Sequence, residues 1–397
     1  MMNKFPANCP SWLAKKIYER GGIISFYDYM DITLNDPVNG YYGSGKANIG
    51  IGGDFVTSTT MTKEFAELLA EQIRDWLKQI LLYYESTEKL VILEFGAGDG
   101  SLLKDIISYF LIKEKNILER ISFLVIERNL GMARKQKKKL KNFLDLGVDI
   151  KWCNLSEVQK NSVNGIVIAH ELLDAFPVER IQYSEGNLFQ QGVSLDSSGK
   201  KLIMRKLKMN NKLNNYLEKI NNLLDVTVPP ENVNEGWTTE LHVDNSTWLN
   251  NVYQKLNNGI LLVIDYAIEA RKYYSNKRQD GMLIAYKNQE AFSNALQNPG
   301  NCDLTSHICS DVLISEAQII GYDFLGLVKQ GEALLSLGLS EKLYEIQLGD
   351  NIDLSSALKK RESLLRLVDP LCLGDFKWFV FQRFNKNQSR IRTKAIN

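Results

Sequence analysis

Residues 91–100 read VILEFGAGDG. An apolar run carries one carboxylate, Glu94, and ends in glycines at 96, 98 and 100. Glycine supplies the positive backbone angles of a tight strand-to-helix turn and lets a ligand approach the main chain closely. The spacing is G-x-G-x-G, not the G-x-G-x-x-G of pyrophosphate-binding turns, and no Lys-Ser/Thr of a P-loop follows. Glu94 discriminates further, because a carboxylate at a strand end repels pyrophosphate and attracts a cation. S-adenosylmethionine carries an ammonium and a sulfonium and no phosphate. It is the ligand this stretch suits best, with Glu94, Gly96, Ala97, Gly98 and Gly100 around it.

Outward from this stretch, short apolar runs alternate with helical segments. KLVILEF (89–95), ISFLVIE (121–127), NGIVIAH (164–170) and GILLVIDYA (259–267) read as strands. SLLKDIISYFLIKE (101–114) and NLGMARKQKKKLKNFL (129–144) read as helices. Apolar runs without polar alternation suit strands buried on both faces of a parallel sheet. The expected fold class is therefore α/β, a Rossmann-like doubly wound core. Glu127 falls at the end of the second strand, where such folds set a carboxylate against ribose hydroxyls. An NAD cofactor would also use Glu127, so that residue alone leaves an NAD(P)-dependent oxidoreductase open. Asn154, after the next short strand, is a candidate neighbour of the adenine.

Before the core, residues 11–34 read as one helix from a Ser11 cap, and 62–79 as a helix with Phe65, Leu68, Leu69, Ile73, Trp76 and Leu77 on one face. Between them lies a glycine-rich loop, GYYGSGKANIGIGGDFVTSTT (40–60). Residues 180–245 break the strand–helix rhythm with two or three antiparallel strands and a helix. The expected division is 1–80 packing on the core, 81–179 with 246–397 as the core, and 180–245 as an inserted α+β substrate-binding subdomain.

Composition excludes several classes. The 397 residues carry a formal net charge of +1, which gives no whole-chain pull toward nucleic acid or an acidic membrane. The five cysteines form no CxxC pair and there are three histidines, so neither a disulfide framework nor a metal centre is expected. No apolar run approaches the roughly 18 residues of a membrane span. The first residues, MMNKFPANCPSWLAKK, lack the apolar core of a signal peptide. The expectation is a protein of a reducing compartment. The basic run RKQKKKLK (134–141) reads as a solvated helix face.

Taken together the segments resemble the MidA-type S-adenosylmethionine-dependent methyltransferases. The resemblance rests on LNDPVNGYYGSGKANIGIGGDFVTSTTMTKEFAELLAEQI (34–73), LEFGAGDGSLLKDI (93–106), FLVIERNLGMARKQKKKL (123–140) and GIVIAHELLDAFPVERIQ (165–182). It runs on through GILLVIDYA and LVDPLCLGDFKWFVFQ and covers about residues 15 to 383. His170 stands where the family usually has Asn, Thr59 and Thr60 where it has Pro and Glu, and Ala267 where it has Gly. The His of its YRxH segment is lost around Ala285–Gln289. These departures bear on substrate identity and turnover, not on the fold or the cofactor loop.

The resemblance implies a class I methyltransferase core and a protein acceptor. In mitochondrial members that acceptor is an arginine of an NADH dehydrogenase subunit, and the function is tied to complex-I-type assembly. It implies a cytoplasmic location for a bacterial chain, or the mitochondrial matrix for eukaryotic relatives, and leaves oligomeric state open, a homodimer included. A guanidinium needs carboxylates for bidentate hydrogen bonds. Glu171 and Asp174, three residues apart at a strand end, are the candidates, with His170 as a possible base. Asp265 and Tyr266 are candidates for the acceptor cleft. Asp54, Phe55, Thr57 and Ser58 are expected to fold over the cofactor, Thr57 or Ser58 binding its carboxylate. A non-catalytic assembly factor that keeps the fold remains the competing class.

Overall fold

The computed structural model describes residues 7–50, 52–83, 89–348, 353–384 and 390–396; residues 1–6 of the N-terminal stretch lie outside them. Seven of the apolar runs pair into one sheet: β1 (Leu90–Phe95), β2 (Ile121–Ile126), β3 (Ile150–Cys153), β4 (Val163–His170), β5 (Leu256–Asp265), β6 (Asp323–Lys329) and β7 (Lys377–Arg383). Their order is β6-β7-β5-β4-β1-β2-β3. β1 to β5 run parallel, and β7 lies antiparallel to both of its neighbours. The order reverses between β1 and β4, and ligands of open α/β sheets bind outside the carboxyl ends of the strands at such a point.

Both faces of the central strands are covered, which is why β1, β4 and β5 are largely apolar. Alternate side chains point to opposite faces. Ile92, Ile166 and Ile168 enter one buried cluster with Trp76 and Phe110. Leu93, Val167 and Ala169 enter another, with Trp248 and Leu313. The helix Lys63–Tyr83 lays Phe65, Leu68, Leu69, Ile73, Trp76 and Leu77, all buried, on the first face as its periodicity predicts.

A second sheet runs through strands 7–8, 201–208, 187–195, 179–184 and 238–241 in that order, and strand 23–25 also pairs with 187–195. The N-terminal segment therefore does two things: its long helix covers the core, and its short strands extend the inserted sheet. The single helix read over 11–34 is instead two, Ser11–Glu19 and Phe26–Asn35, separated by the strand Ile23–Ser25. Gly21 and Gly22, at φ 92° and 85°, make the break. Pro10, not Ser11, precedes the first helix.

Three further strands, Leu283–Lys287, Glu290–Phe292 and Asp303–Ser306, form a small antiparallel sheet within the region read as plain α/β core. Its hairpin turns through Asn288 and Gln289, both at positive φ, the geometry that matches strand twist in a two-residue loop.

Candidate active site

At the carboxyl ends of β1, β2 and β4 lies a cavity of ≈ 340 Å³, within the ~300–1,000 Å³ of small-molecule sites. β1 contributes Glu94 to Asp99, β2 contributes Ile126 to Asn129, and β4 contributes His170 to Leu172. Gly96, Gly98 and Gly100 all take positive φ, at 56°, 51° and 86°. A Cβ on Gly96 would lie 2.6 Å from the Leu172 side chain, whereas one on Gly98 would meet only Ile49, at 3.5 Å. Gly98 thus faces open cavity, and Gly100 begins the helix Ser101–Lys113 behind it.

Glu94 is buried, and its Oε2 has no hydrogen-bond partner among the described residues. Burial, with Asp99 and Glu127 nearby, pushes its carboxyl up to about 8. A buried, unpartnered acid is costly unless a cation meets it. His170 and Trp248 line the same cavity, and His170 Nε2 and the Trp248 indole N–H are buried and make no hydrogen bond among the described residues. Glu127 is held at Oε1 by the backbone N–H of Asn129 (2.8 Å) and at Oε2 by Gln136 (2.9 Å). A buried acid without a partner among the described residues, a second carboxylate just after β2 and a loop without side chains fit S-adenosylmethionine, which would be held by Glu94, Gly96, Ala97, Gly98 and Glu127.

Sequence reasoning missed Gln136. Its amide also donates to the Gly98 carbonyl (3.0 Å) and accepts from the Trp152 indole (3.0 Å), so one buried side chain ties the glycine loop to Glu127. It sits inside the run read as a solvated face. That face is itself engaged: Lys135 donates to the Ala47 carbonyl (2.6 Å), and Lys139 pairs with Asp99. The residue type alone gave no signal.

A second pocket of ≈ 220 Å³ shares Tyr42, Phe55 and Glu171 with the first. Its other lining residues include Asp54, Asp174, Tyr266, Tyr286 and Asp303. Four carboxylates and three tyrosines thus surround a space the size of one side chain. Burial holds Glu171 and Asp174 well above the usual carboxylate range and Asp303 at about 7. Asp174 Oδ1 and Asp303 Oδ1 are buried and make no hydrogen bond among the described residues. No lining residue comes from 180–245, the segment expected to bind the acceptor. Tyr286, Asp303 and Thr305 come from the small sheet instead, which Asp54 fixes to the glycine-rich loop by accepting from Asn288 N–H (3.0 Å) and Tyr41 O–H (2.8 Å).

Glu171 stands between the two pockets with φ 48°, a left-handed conformation that costs a non-glycine residue roughly 1–2 kcal/mol. Its Oε1 lies 3.3 Å from the Ser58 N–H and 3.4 Å from His170 Nε2. His170 is pushed by burial down to about 3, so it is neutral.

Other expected site residues fall elsewhere. Phe55 and Thr57 line the first cavity, but Asp54 lines the second. Ser58 is fully buried with its hydroxyl on Gln330 (3.0 Å), and the Thr57 hydroxyl caps the short helix Ser58–Met61. Asn154 is exposed, caps the turn at 155–157 and lines neither pocket. Asp265 lines neither: its carboxylate is consumed by backbone N–H groups of Leu172 and Leu173 in the turn after β4 and by that of Tyr266. Tyr266 does reach the second pocket, packed on Phe376 at 3.9 Å between ring centres.

Comparison with known proteins gives the same fold and cofactor class. A family model described as S-adenosyl-L-methionine-dependent methyltransferase matches residues 68–328, more than half the chain. A Caenorhabditis elegans protein named as the mitochondrial protein arginine methyltransferase NDUFAF7 homolog is 24% identical, across 91% of this chain and 84% of that protein. The Danio rerio protein arginine methyltransferase NDUFAF7 is 26% identical, across 92% and 85%. A Burkholderia thailandensis protein crystallised with S-adenosylhomocysteine superposes with a TM-score of 0.80 at 24% identity, covering 97% of this chain and 93% of that one. Its likeness shows the same class I fold. With an acid-tipped glycine turn at the reversal point of a 3-2-1-4-5-7-6 sheet and a family match spanning that core, the chain belongs to the S-adenosyl-L-methionine-dependent methyltransferase family.

Proposed function

We propose that the chain methylates an arginine side chain of a protein, and that its acceptor belongs to a complex-I-type NADH dehydrogenase or its assembly. The observation that carries the acceptor class is the second pocket: four acids and three tyrosines, adjoining the first cavity at Glu171. A guanidinium is planar, permanently charged and rich in donors. Buried carboxylates give it bidentate partners, and tyrosine faces suit a cation. The names of the relatives point to the same acceptor.

When bound, S-adenosylmethionine supplies a methyl group activated by its sulfonium. The chain's own residues do the rest. Asp174 and Asp303 hold the guanidinium, so that one nitrogen faces the boundary between the pockets. That alignment is the main source of acceleration in such a displacement. Arrival of the cation favours the ionised form of Glu171, and Glu171 would take the proton that the acceptor nitrogen sheds as its N–C bond forms and the methyl–sulfur bond breaks, S-adenosylhomocysteine leaving. Neutral His170 lends Glu171 a polar neighbour and adds no charge. In this reading 180–245 and the N-terminal strands brace the site. Among the described residues no helix is long and apolar enough to cross a membrane, and all five cysteines are free. A cytoplasmic setting accommodates both.

Incubation with methyl-labelled cofactor and paired arginine- and lysine-containing peptides, followed by mass spectrometry, tests the reading. Label on arginine alone supports it; label on lysine, or none with cofactor binding intact, rejects the acceptor class.

A further inference from the structure

With the acceptor side chain in the second pocket, as proposed above, the polypeptide that carries it runs over the pocket rim. One lining residue stands apart from the acids: Arg366, on the last turn of the helix Leu354–Val368. It is exposed, and among the described residues no ion pair or hydrogen bond engages its side chain. The same helix buries Leu364 and Leu367 completely, yet exposes Leu354 (73%), Leu358 (55%) and Leu365 (43%). At ~3.6 residues per turn these three share one solvent-facing stripe. Leu371, in the turn that follows, is 95% exposed. Lys359 and Arg361 flank the stripe and are exposed too. Single exposed leucines need no explanation, but an aligned set beside a binding pocket marks an interaction surface.

We propose that the outer face of helix Leu354–Val368 docks the acceptor polypeptide, its leucine stripe covering apolar residues of that segment and Arg366 pairing with a carboxylate next to the acceptor arginine. The proposal rests on the second pocket being the acceptor site. Its occupant follows from continuity and charge. The helix supplies part of the pocket rim at Arg366, so a chain leaving the pocket on that side runs along it. At the rim of an acid-lined pocket, Arg366, unpaired among the described residues, offers a carboxylate of the incoming segment a partner. Arg366 thereby selects for sequence context while the acids inside select for arginine.

The test uses the full chain with two short fluorescent peptides, each apolar around a central arginine, one with Glu and one with Lys beside it. Fluorescence anisotropy reads docking, and methyl transfer to N-acetyl-argininamide reads the pocket. Wild type should bind the Glu peptide better by about fivefold, as for a partly exposed ion pair. Arg366→Glu should invert that preference. The triple change Leu354→Asp, Leu358→Asp, Leu365→Asp should weaken both peptides and leave transfer to N-acetyl-argininamide unchanged. These leucines are exposed, so circular dichroism should show an intact fold. An unchanged preference in Arg366→Glu overturns the proposal. So does cosedimentation of wild type, but not the triple variant, with phosphatidylglycerol vesicles when neither peptide binds, because the stripe would then be a membrane surface. Failure of transfer to N-acetyl-argininamide with peptide binding and inversion intact counts against the acceptor-pocket reading and leaves the docking face standing.

Discussion

The carboxylate of Asp265, at the end of β5, accepts the backbone N–H of Leu173 at 2.9 Å. The same oxygen lies 3.2 Å from Leu172 N–H and 3.4 Å from Asp174 N–H, and its partner oxygen takes the Tyr266 N–H at 2.9 Å. One buried side chain therefore fixes the turn that follows Glu171 and places Asp174 in its pocket. Asp265→Ala strands these donors without acceptors, and each buried orphan costs about 1–3 kcal/mol. Thermal or urea unfolding should show a loss on the order of 4 kcal/mol, with Asp265→Asn, which keeps one oxygen, clearly milder. A loss below about 1 kcal/mol in the alanine variant would mean that the clamp is not structural.

This clamp shows where sequence reasoning stops. The α/β core was legible because apolar runs of strand length, buried on both faces, are written without polar alternation; β4, with all eight residues buried, is the clearest case. The glycine turn and its acids were legible because their conformations and charges demand particular residue types. Asp265 was noticed as a strand-end acid, but nothing in the chain says that its oxygens point at residues 92 and 93 positions earlier. Asp303 and Tyr286 were missed for the same reason. They join Asp174 through a small sheet whose pairing is long-range, and no local spacing encodes that meeting. Gln136 was hidden by the lysines around it.

Gly98→Val should abolish cofactor binding. The residue holds φ 51°, which a β-branched side chain resists. Its added carbons would enter the open cavity, since only Ile49 lies within 4 Å of the Cβ position. Gly98→Ala adds less bulk at the same strained angle and should weaken binding without removing it. Calorimetric titration with S-adenosylhomocysteine measures both. Wild-type affinity in the valine variant would mean that this turn does not face the cofactor.

Glu94 should make cofactor affinity depend on pH. Its carboxyl lies at about 8 against an ordinary 4.5, so below that point binding a cation must first expel a proton. Affinity for S-adenosylmethionine should rise with pH by up to about tenfold per unit and level off above about 8. Glu94→Gln should flatten the profile. Stability runs the other way: a raised folded-state pKa favours the free protein below 4.5 and loses that advantage as pH rises through 8. The unliganded melting point should therefore fall across this window, and the shift given by saturating cofactor should grow. A pH-independent dissociation constant in the wild type would separate Glu94 from the bound cation.

Glu171 offers a comparison in which stability and activity part. Its φ of 48° is a left-handed conformation in the segment joining the two pockets, held by its N–H on the Ile264 carbonyl at 2.8 Å. Strain of this kind at a boundary between binding spaces is expected where the side chain, not the backbone, is needed. Alanine and glycine both delete the carboxylate, but only glycine takes positive φ freely. Glu171→Gly should thus be more stable than Glu171→Ala by about 1 kcal/mol in urea unfolding. Both should bind S-adenosylhomocysteine within a few-fold of wild type and lose methyl transfer by at least about a hundredfold, the usual contribution of a positioned proton acceptor. Alanine proving the more stable of the two would remove the strain argument. Transfer at the wild-type rate in either variant would remove Glu171 from the chemistry, whatever the backbone does.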